Sequence, residues 1–229
     1  TIIHKLSGAS DVREIPLSLF LYHRLGKEYF DVFHVPPNAA EQPFVKVDFQ
    51  RKEYQILPGN WRIKQTTIFP SGFTVRAVPG TNLILEGGAS LISFSPLVFQ
   101  GTSGEPITII GESTDSGIFV SSTEEPSFFE YTVFNGLSPP RHGPWNPTGA
   151  ISFYEANVTL SHCKFLENRK GDDYLNIIRS NFVIESVKFF TAYADAVDID
   201  FSEGKITNSL FVDIGNDAID ASGSNISID

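Results

Sequence analysis

Two consecutive stretches of 22 residues, LNIIRSNFVIESVKFFTAYADA (residues 175–196) and VDIDFSEGKITNSLFVDIGNDA (residues 197–218), repeat one pattern of apolar and polar positions. A copy of 24 residues precedes them from Ile151, and a partial copy follows from Ile219. Apolar and polar residues alternate over short runs within each copy, which is the periodicity of a β-strand. Asn, Gly, Ser and Asp separate the runs, so the pattern predicts several short strands in every repeat.

Alignment of the copies places apolar residues in columns. The columns are Phe165, Phe189 and Phe211; Cys163, Val187 and Ser209; and Leu160, Ile184, Ile206 and Ile228. A period near 22 with several short strands per repeat is typical of a parallel β-helix, in which each repeat forms one coil and stacks about 4.8 Å from the next. The sequence therefore predicts an all-β solenoid with the apolar columns in its core.

The repeat pattern predicts two regions in the chain. A less regular version of the same rhythm extends upstream, so we expect the parallel β-helix to occupy residues 57–229. Residues 1–56 are apolar and aromatic without a clear period, and we expect them to form an N-terminal cap or to be the remnant of a preceding domain. The sequence stops at NISID, within a coil, so further coils are expected in the parent chain.

Composition and charge exclude some classes of function. Hydrophobic residues make up 41% of the 229 residues, which is enough for a core, and no apolar run approaches the length of a membrane helix. Residues 1–100 carry a net charge of +2 and residues 101–229 a net charge of −12. Nucleic acid is an unfavourable partner for the acidic part, whereas a cation, a neutral glycan or a cation-bridged glycan is a favourable one.

The segments ADAVDIDFSEGKITNSLF (residues 194–211) and GNDAIDASGSNISI (residues 215–228) resemble right-handed parallel β-helix repeat proteins, the pectate-lyase-like superfamily. That superfamily includes pectate lyases, pectin hydrolases, uronate epimerases and phage tailspikes. The resemblance covers residues 57–229 and implies a right-handed solenoid. GDD at residues 171–173 and NDAID at residues 216–220 are similar to the paired aspartates of pectin hydrolases, but the Gly-His-Gly of those enzymes is missing. The catalytic residues, if there are any, are therefore not assigned.

Acidic residues also recur with the period. One ladder contains Asp173, Asp195 and Asp217, and a second contains Asn176, Asp198 and Asp220, with Asp200 two residues along. Turn chemistry explains the first ladder, because aspartate accepts backbone hydrogen bonds at tight corners. The second lies within a strand and is expected to point outward, with its carboxylates ionised at neutral pH. The alternatives for this ladder are a hydrogen-bonded scaffold and a calcium site, and the candidate metal ligands of the second are Asp198, Asp200 and Asp220.

A proline-rich segment, NGLSPPRHGPWNPTGA (residues 135–150, the insert), interrupts the coil rhythm. Long loops on solenoids often form the walls of binding faces, tryptophan stacks on sugar rings, and arginine binds carboxylates. The alternative is that the insert is a structural cover, whose tryptophan packs onto an otherwise exposed edge of a coil. The candidate ligand-binding residues are Arg141, His142, Trp145, Tyr154 and Arg179.

Two classes of function follow from these features. The first is an extracellular, cell-surface or periplasmic β-helix module that binds a polysaccharide or cell-surface glycan, or that is adhesive or structural. The second is a polysaccharide lyase, hydrolase or epimerase that acts on an acidic glycan. The first is favoured because no complete catalytic constellation can be assembled from the sequence.

Overall fold

The computed structural model describes residues 2–5, 12–15, 35–142 and 145–229, the first two ranges by their backbone alone. Strands β1 (Ile2–Lys5) and β2 (Val12–Ile15) form an antiparallel pair. The rest of the predicted cap before residue 35 lies outside the described residues.

The described chain is a parallel β-solenoid of about seven turns, with roughly 24 residues per turn. Sheet 1 contains β3 (Val45–Asp48), β4 (Glu53–Ile56), β7 (Thr74–Ala77), β10 (Leu97–Gln100), β13 (Ser127–Glu130), β16 (Val158–Ser161), β19 (Asn181–Glu185), β22 (Glu203–Thr207) and β25 (Asn225–Ile228). Sheet 2 contains β5 (Gly59–Ile63), β8 (Thr81–Leu85), β11 (Ile107–Gly111), β14 (Thr132–Asn135), β17 (Lys164–Leu166), β20 (Lys188–Ala192) and β23 (Leu210–Ile214). Sheet 3 contains β6 (Thr67–Phe69), β9 (Leu91–Ser93), β12 (Ile118–Ser121), β15 (Gly149–Tyr154), β18 (Asp173–Ile178), β21 (Asp195–Asp200) and β24 (Asp220–Ser222). The predicted all-β parallel solenoid is thus confirmed.

The predicted columns are in register along the solenoid. Phe165 pairs with Phe189, and Phe189 pairs with Phe211, on neighbouring strands of sheet 2. The spacing between residues paired along sheet 3 is 24, 27, 33, 24, 22 and 22. The regular spacing of 22 therefore belongs to the last turns, and the longest step contains the insert. Stacking identical apolar side chains removes them from water in every coil, which is the main force that holds such a solenoid together.

The corners of the coils depend on residues in the left-handed conformation. After the strands of sheet 3, the backbone turns through Glu155, Arg179, Phe201 and Gly223, all with positive φ. The N–H of each of the first three donates to a carbonyl oxygen in the following coil, for example Arg179 to Asp200 at 2.9 Å. The chain therefore changes direction without leaving these backbone groups unpaired.

The solenoid begins at sheet 1. Strand β3 runs antiparallel to β4, while β4 is already parallel to β7. A short 3₁₀ helix (Ala39–Glu41) precedes β3, and Ala39 and Phe44 are buried against the core of the first coil. Across the described ranges there is no helix long and apolar enough to cross a membrane.

Candidate functional site on sheet 3

The outward face of sheet 3 changes from apolar to acidic along the solenoid. One ladder of paired residues runs through Ile68, Ile92, Phe119, Ser152, Asn176, Asp198 and Asp220. The neighbours of these residues in sequence, such as Val197 and Ile199, point into the core. Trp145 of the insert lies over the apolar half of this face, and along the acidic half exposure increases from Asn176, which is buried, to Asp220, which is exposed.

Trp145 of the insert covers the apolar half. Its ring makes an edge contact with Phe119 at a centroid distance of 4.8 Å, and it packs against the cluster of Ile68 and Ile92. The insert holds this position because His142 and Trp145 form an antiparallel bridge and their rings stack at 6.0 Å. These contacts favour the interpretation of the insert as a cover, because they occupy one face of the tryptophan.

His142, which belongs to the insert, is half-buried. Its Nε2 lies 3.2 Å from the hydroxyl oxygen of Thr66, and burial lowers the pKa of its imidazole. A neutral imidazole is easier to bury than a charged one, so the lowered pKa is consistent with the buried contact between His142 and Thr66. The ligand-binding roles of His142 and Trp145 stay predictions.

A cleft of about 220 Å³ separates the insert from residues 170–172. This insert cleft is lined by Asp115, Pro139, Arg141, Asn146, Pro147, Thr148, Lys170, Gly171 and Asp172. Arg141 is exposed on its rim, and Lys170 forms an ion pair with Asp115 at 3.7 Å. Gly171 has φ +112°, and a Cβ there would lie 2.5 Å from the ring of Pro139. The cleft walls can approach each other only because this residue is glycine.

Three carboxylates converge beside the insert cleft. The oxygens of Asp172, Asp173 and Asp195, the carboxylate triad, lie within 4.8 Å of one another. Asp172 is exposed, whereas Asp173 and Asp195 are buried. Burial raises the pKa of Asp173, and a hydrogen bond from Asn176 partly offsets it. Hard cations such as Ca²⁺ take several carboxylate oxygens at once, so the triad has the donor chemistry of a calcium site.

Asn176 joins the two acidic ladders. Its Nδ2 donates to Asp173 Oδ2 at 3.0 Å and to Asp198 Oδ2 at 2.8 Å. The residue is only 2% exposed, and its Oδ1 accepts no hydrogen bond from the described part of the chain. The amide therefore holds two carboxylates of neighbouring coils together and leaves one buried acceptor beside them.

The environment of Asp198 disfavours its ionised form. Burial raises its pKa to about 7, and the negative charges of Asp173, Asp200 and Asp220 add to the effect. Burial therefore opposes the expected ionisation of Asp198. The physical reason is that the ladder is partly desolvated, which sequence spacing alone does not reveal.

The structure places the other predicted metal ligands on the same face. Asp198 pairs with Asp220. Asp200, two residues further along the same strand, pairs with Ile178 and Ser222. Among the residues with described side chains, the tight carboxylate group is the triad, and these three aspartates do not form another. Their role as metal ligands stays a prediction. The 22-residue spacing identified Asp173 and Asp195 but did not predict that they are buried. Asp172 does not recur with the period, so the spacing could not identify it.

Arg179 and Tyr154 lie together at the corner after sheet 3. Arg179 Nη1 donates to the Tyr154 hydroxyl at 3.2 Å and lies 3.4 Å from a carboxylate oxygen of Glu155. Neither residue lines the insert cleft. Tyr154 and Trp145 pack against the same apolar cluster, whereas Arg141 lines the insert cleft, so the five predicted ligand-binding residues do not form one site.

The fold and these sites define the protein as a parallel β-solenoid with a covered, partly acidic face. No protein-family model, no curated protein and no solved structure matches the chain. Function has to be argued from the sites themselves.

Proposed function

We propose that this chain is an extracellular, cell-surface or periplasmic β-helix module that binds a glycan in the insert cleft, in an adhesive or structural role. The observation that carries the proposal is the cleft itself, with donors at Arg141 and Asn146 and a carboxylate acceptor at Asp172. Sugar hydroxyls both donate and accept hydrogen bonds, so a lining of both kinds suits them. We also propose that the solenoid is right-handed, because parallel crossover connections have this hand in nearly all proteins.

The walls of the cleft support binding because they are pre-organised. Pro139 and Pro147 have fixed φ angles, and Gly171 packs directly on Pro139. Thr148 is tied to sheet 3, since its backbone carbonyl accepts from Asp173 N–H at 3.4 Å and its hydroxyl oxygen lies 3.3 Å from Asn176 Nδ2. A ligand that enters a rigid cleft loses less free energy to ordering the protein.

Calcium extends the proposal to acidic glycans. An acidic sugar in the cleft would meet Asp115 and Asp172 as well as Arg141 and Lys170, so the lining supplies no net positive charge for it. A calcium ion held by the carboxylate triad would supply positive charge there and oxygen coordination for a sugar carboxylate. The buried, unpartnered Oδ1 of Asn176 next to Asp173 is a further neutral oxygen close to this position.

Calorimetric titration tests the proposal. Neutral and acidic oligosaccharides are titrated into the protein with and without millimolar calcium. Arg141→Ala and Asn146→Ala should each weaken binding, and the acidic ligands should require calcium. Lys188→Ala, which removes an exposed cation of sheet 2, is the matched control and should bind as the parent does. Equal binding by parent, R141A and N146A would show that the cleft is not the site.

A polysaccharide lyase, hydrolase or epimerase acting on an acidic glycan is the second candidate. It is favoured by Asp198, whose pKa of about 7 allows a carboxyl group to exchange a proton near neutral pH. Acidic polysaccharides are incubated with the protein and assayed for unsaturated uronates, new reducing ends and inverted uronate units. Any such activity should disappear in Asp198→Asn, and a complete lack of products from the parent would leave binding as the function.

A further inference from the structure

A second groove runs along the corner between sheet 3 and sheet 1, outside the insert cleft. It has a volume of about 480 Å³ and crosses several coils. This corner groove is lined by Asn157, Arg179, Ser180, Asn181, Phe201, Ser202, Glu203, Gly223, Ser224 and Asn225. Its volume falls in the range of small-ligand sites, and its residues recur with the coil period.

The floor of the corner groove is a ladder of serines. Ser202 Oγ accepts a hydrogen bond from the backbone N–H of Ser180, and Ser224 Oγ accepts one from that of Ser202, both at 3.0 Å. The hydroxyls also donate to carbonyl oxygens, for example Ser202 to Asp200 at 2.8 Å. The floor is therefore satisfied internally and held rigid, which leaves recognition to the two walls.

One wall carries Phe201, whose position is unfavourable for folding. Its side chain is 66% exposed and its φ is +49°, a left-handed conformation that bulky residues rarely adopt. The ring extends along the solenoid over Gly223, where a Cβ would lie 2.8 Å from it. An exposed phenylalanine in a strained turn gains little free energy from burial. The stability of the fold therefore does not explain why phenylalanine occupies this position.

The opposite wall carries free polar groups in register. Asn181 pairs with Glu203, and Glu203 pairs with Asn225, at the starts of successive strands of sheet 1. All three side chains are exposed. Within the described chain, the side-chain amides of Asn181 and Asn225 and the carboxylate of Glu203 form no hydrogen bond. A ligand parallel to the solenoid axis would meet a donor or an acceptor in every coil.

We propose that the corner groove binds a neutral, hydroxyl-rich oligosaccharide that lies along the solenoid axis. The face of Phe201 stacks on the apolar face of a sugar ring, while the two asparagines and Glu203 bond to its hydroxyls. A neutral chain fits because Arg179 is already paired with Glu155, so Glu203 leaves the groove slightly negative. This site is independent of the insert cleft and does not rest on the function proposed for it.

The test uses the whole protein and four neutral hexasaccharides, namely cellohexaose, xylohexaose, mannohexaose and maltohexaose. Calorimetric titration should show binding of at least one of them, and Phe201→Ala should weaken it about tenfold, the effect of one lost stacking contact. Tyr193→Ala is the matched control, since Tyr193 is 64% exposed and does not line the groove. It should bind as the parent does.

Thermal unfolding separates a binding residue from a structural one. The melting temperature of Phe201→Ala should equal or exceed that of the parent, because the substitution removes an exposed ring from a strained turn. The proposal is overturned if none of the four hexasaccharides binds, if F201A binds as tightly as the parent, or if F201A melts several degrees lower. Loss of binding in R141A with full binding in F201A would place the neutral ligand in the insert cleft instead.

Discussion

The ring of Phe189 lies parallel to the ring of Phe211 in the next coil, with an interplanar angle of 2° and a centroid distance of 5.0 Å. On its other side the ring of Phe165 lies 4.3 Å away. Phe165 and Phe189 are fully buried, whereas Phe211 is partly exposed in a later turn. The column is therefore internal and becomes more accessible towards the last described coil.

Phe189→Ala should lower the free energy of unfolding by about 3–5 kcal/mol, because it leaves a cavity between two stacked rings. Denaturant unfolding followed by circular dichroism measures the change. Phe211→Ala should cost less since that ring is already partly in water, and Lys188→Ala on the same strand should cost almost nothing. Equal losses for the two phenylalanines would contradict this ranking.

Asn176→Asp should destabilise the protein by at least about 3 kcal/mol at pH 8, since it replaces a buried donor with a third carboxylate between Asp173 and Asp198. The loss should shrink at pH 5, where a protonated carboxyl can donate again. Asn181→Asp, at an exposed strand start, is the control and should be nearly neutral. A loss that does not change with pH would mean that lost packing, not charge, is responsible.

The raised pKa of Asp198 predicts a pH dependence of stability. The folded state binds this proton more tightly than the unfolded chain does, so the stabilisation is complete below about pH 4 and is lost as the pH rises through about 7. Asp173, whose pKa is also raised, acts in the same direction. Asp198→Asn should remove much of the slope and should be more stable than the parent at pH 8. Asp213→Asn, at an exposed position of β23, should keep the slope of the parent.

Millimolar calcium should raise the melting temperature, because a bound cation offsets repulsion among stacked carboxylates. If Asp198 and Asp220 are the ligands, the double substitution Asp198→Asn with Asp220→Asn abolishes the increment and, without calcium, is at least as stable as the parent. If the triad is the site, Asp172→Asn abolishes the increment and the double variant keeps it. An unchanged melting temperature in the parent would leave the aspartates as hydrogen-bonded scaffold.

The periodic part of the structure was predictable from the sequence for a physical reason. Each coil meets nearly the same neighbours as the one before it, so Phe165, Phe189 and Phe211 had to be alike if they were to share one core position. The same argument placed Asp198 opposite Asp220. Residues 175–218 therefore determined the fold class, the register and the core of the last turns.

The tertiary structure alone decided the features that break the period. Trp145 of the insert covers the apolar half of the outer face of sheet 3, while burial raises the pKa of Asp173 and raises the pKa of Asp198 to about 7. The corner groove likewise combines Arg179, Phe201 and Asn225 from successive coils, although nothing in the local pattern marks them as a site. Burial and charge at such places depend on contacts between segments far apart in the chain, and spacing along the sequence carries no information about desolvation.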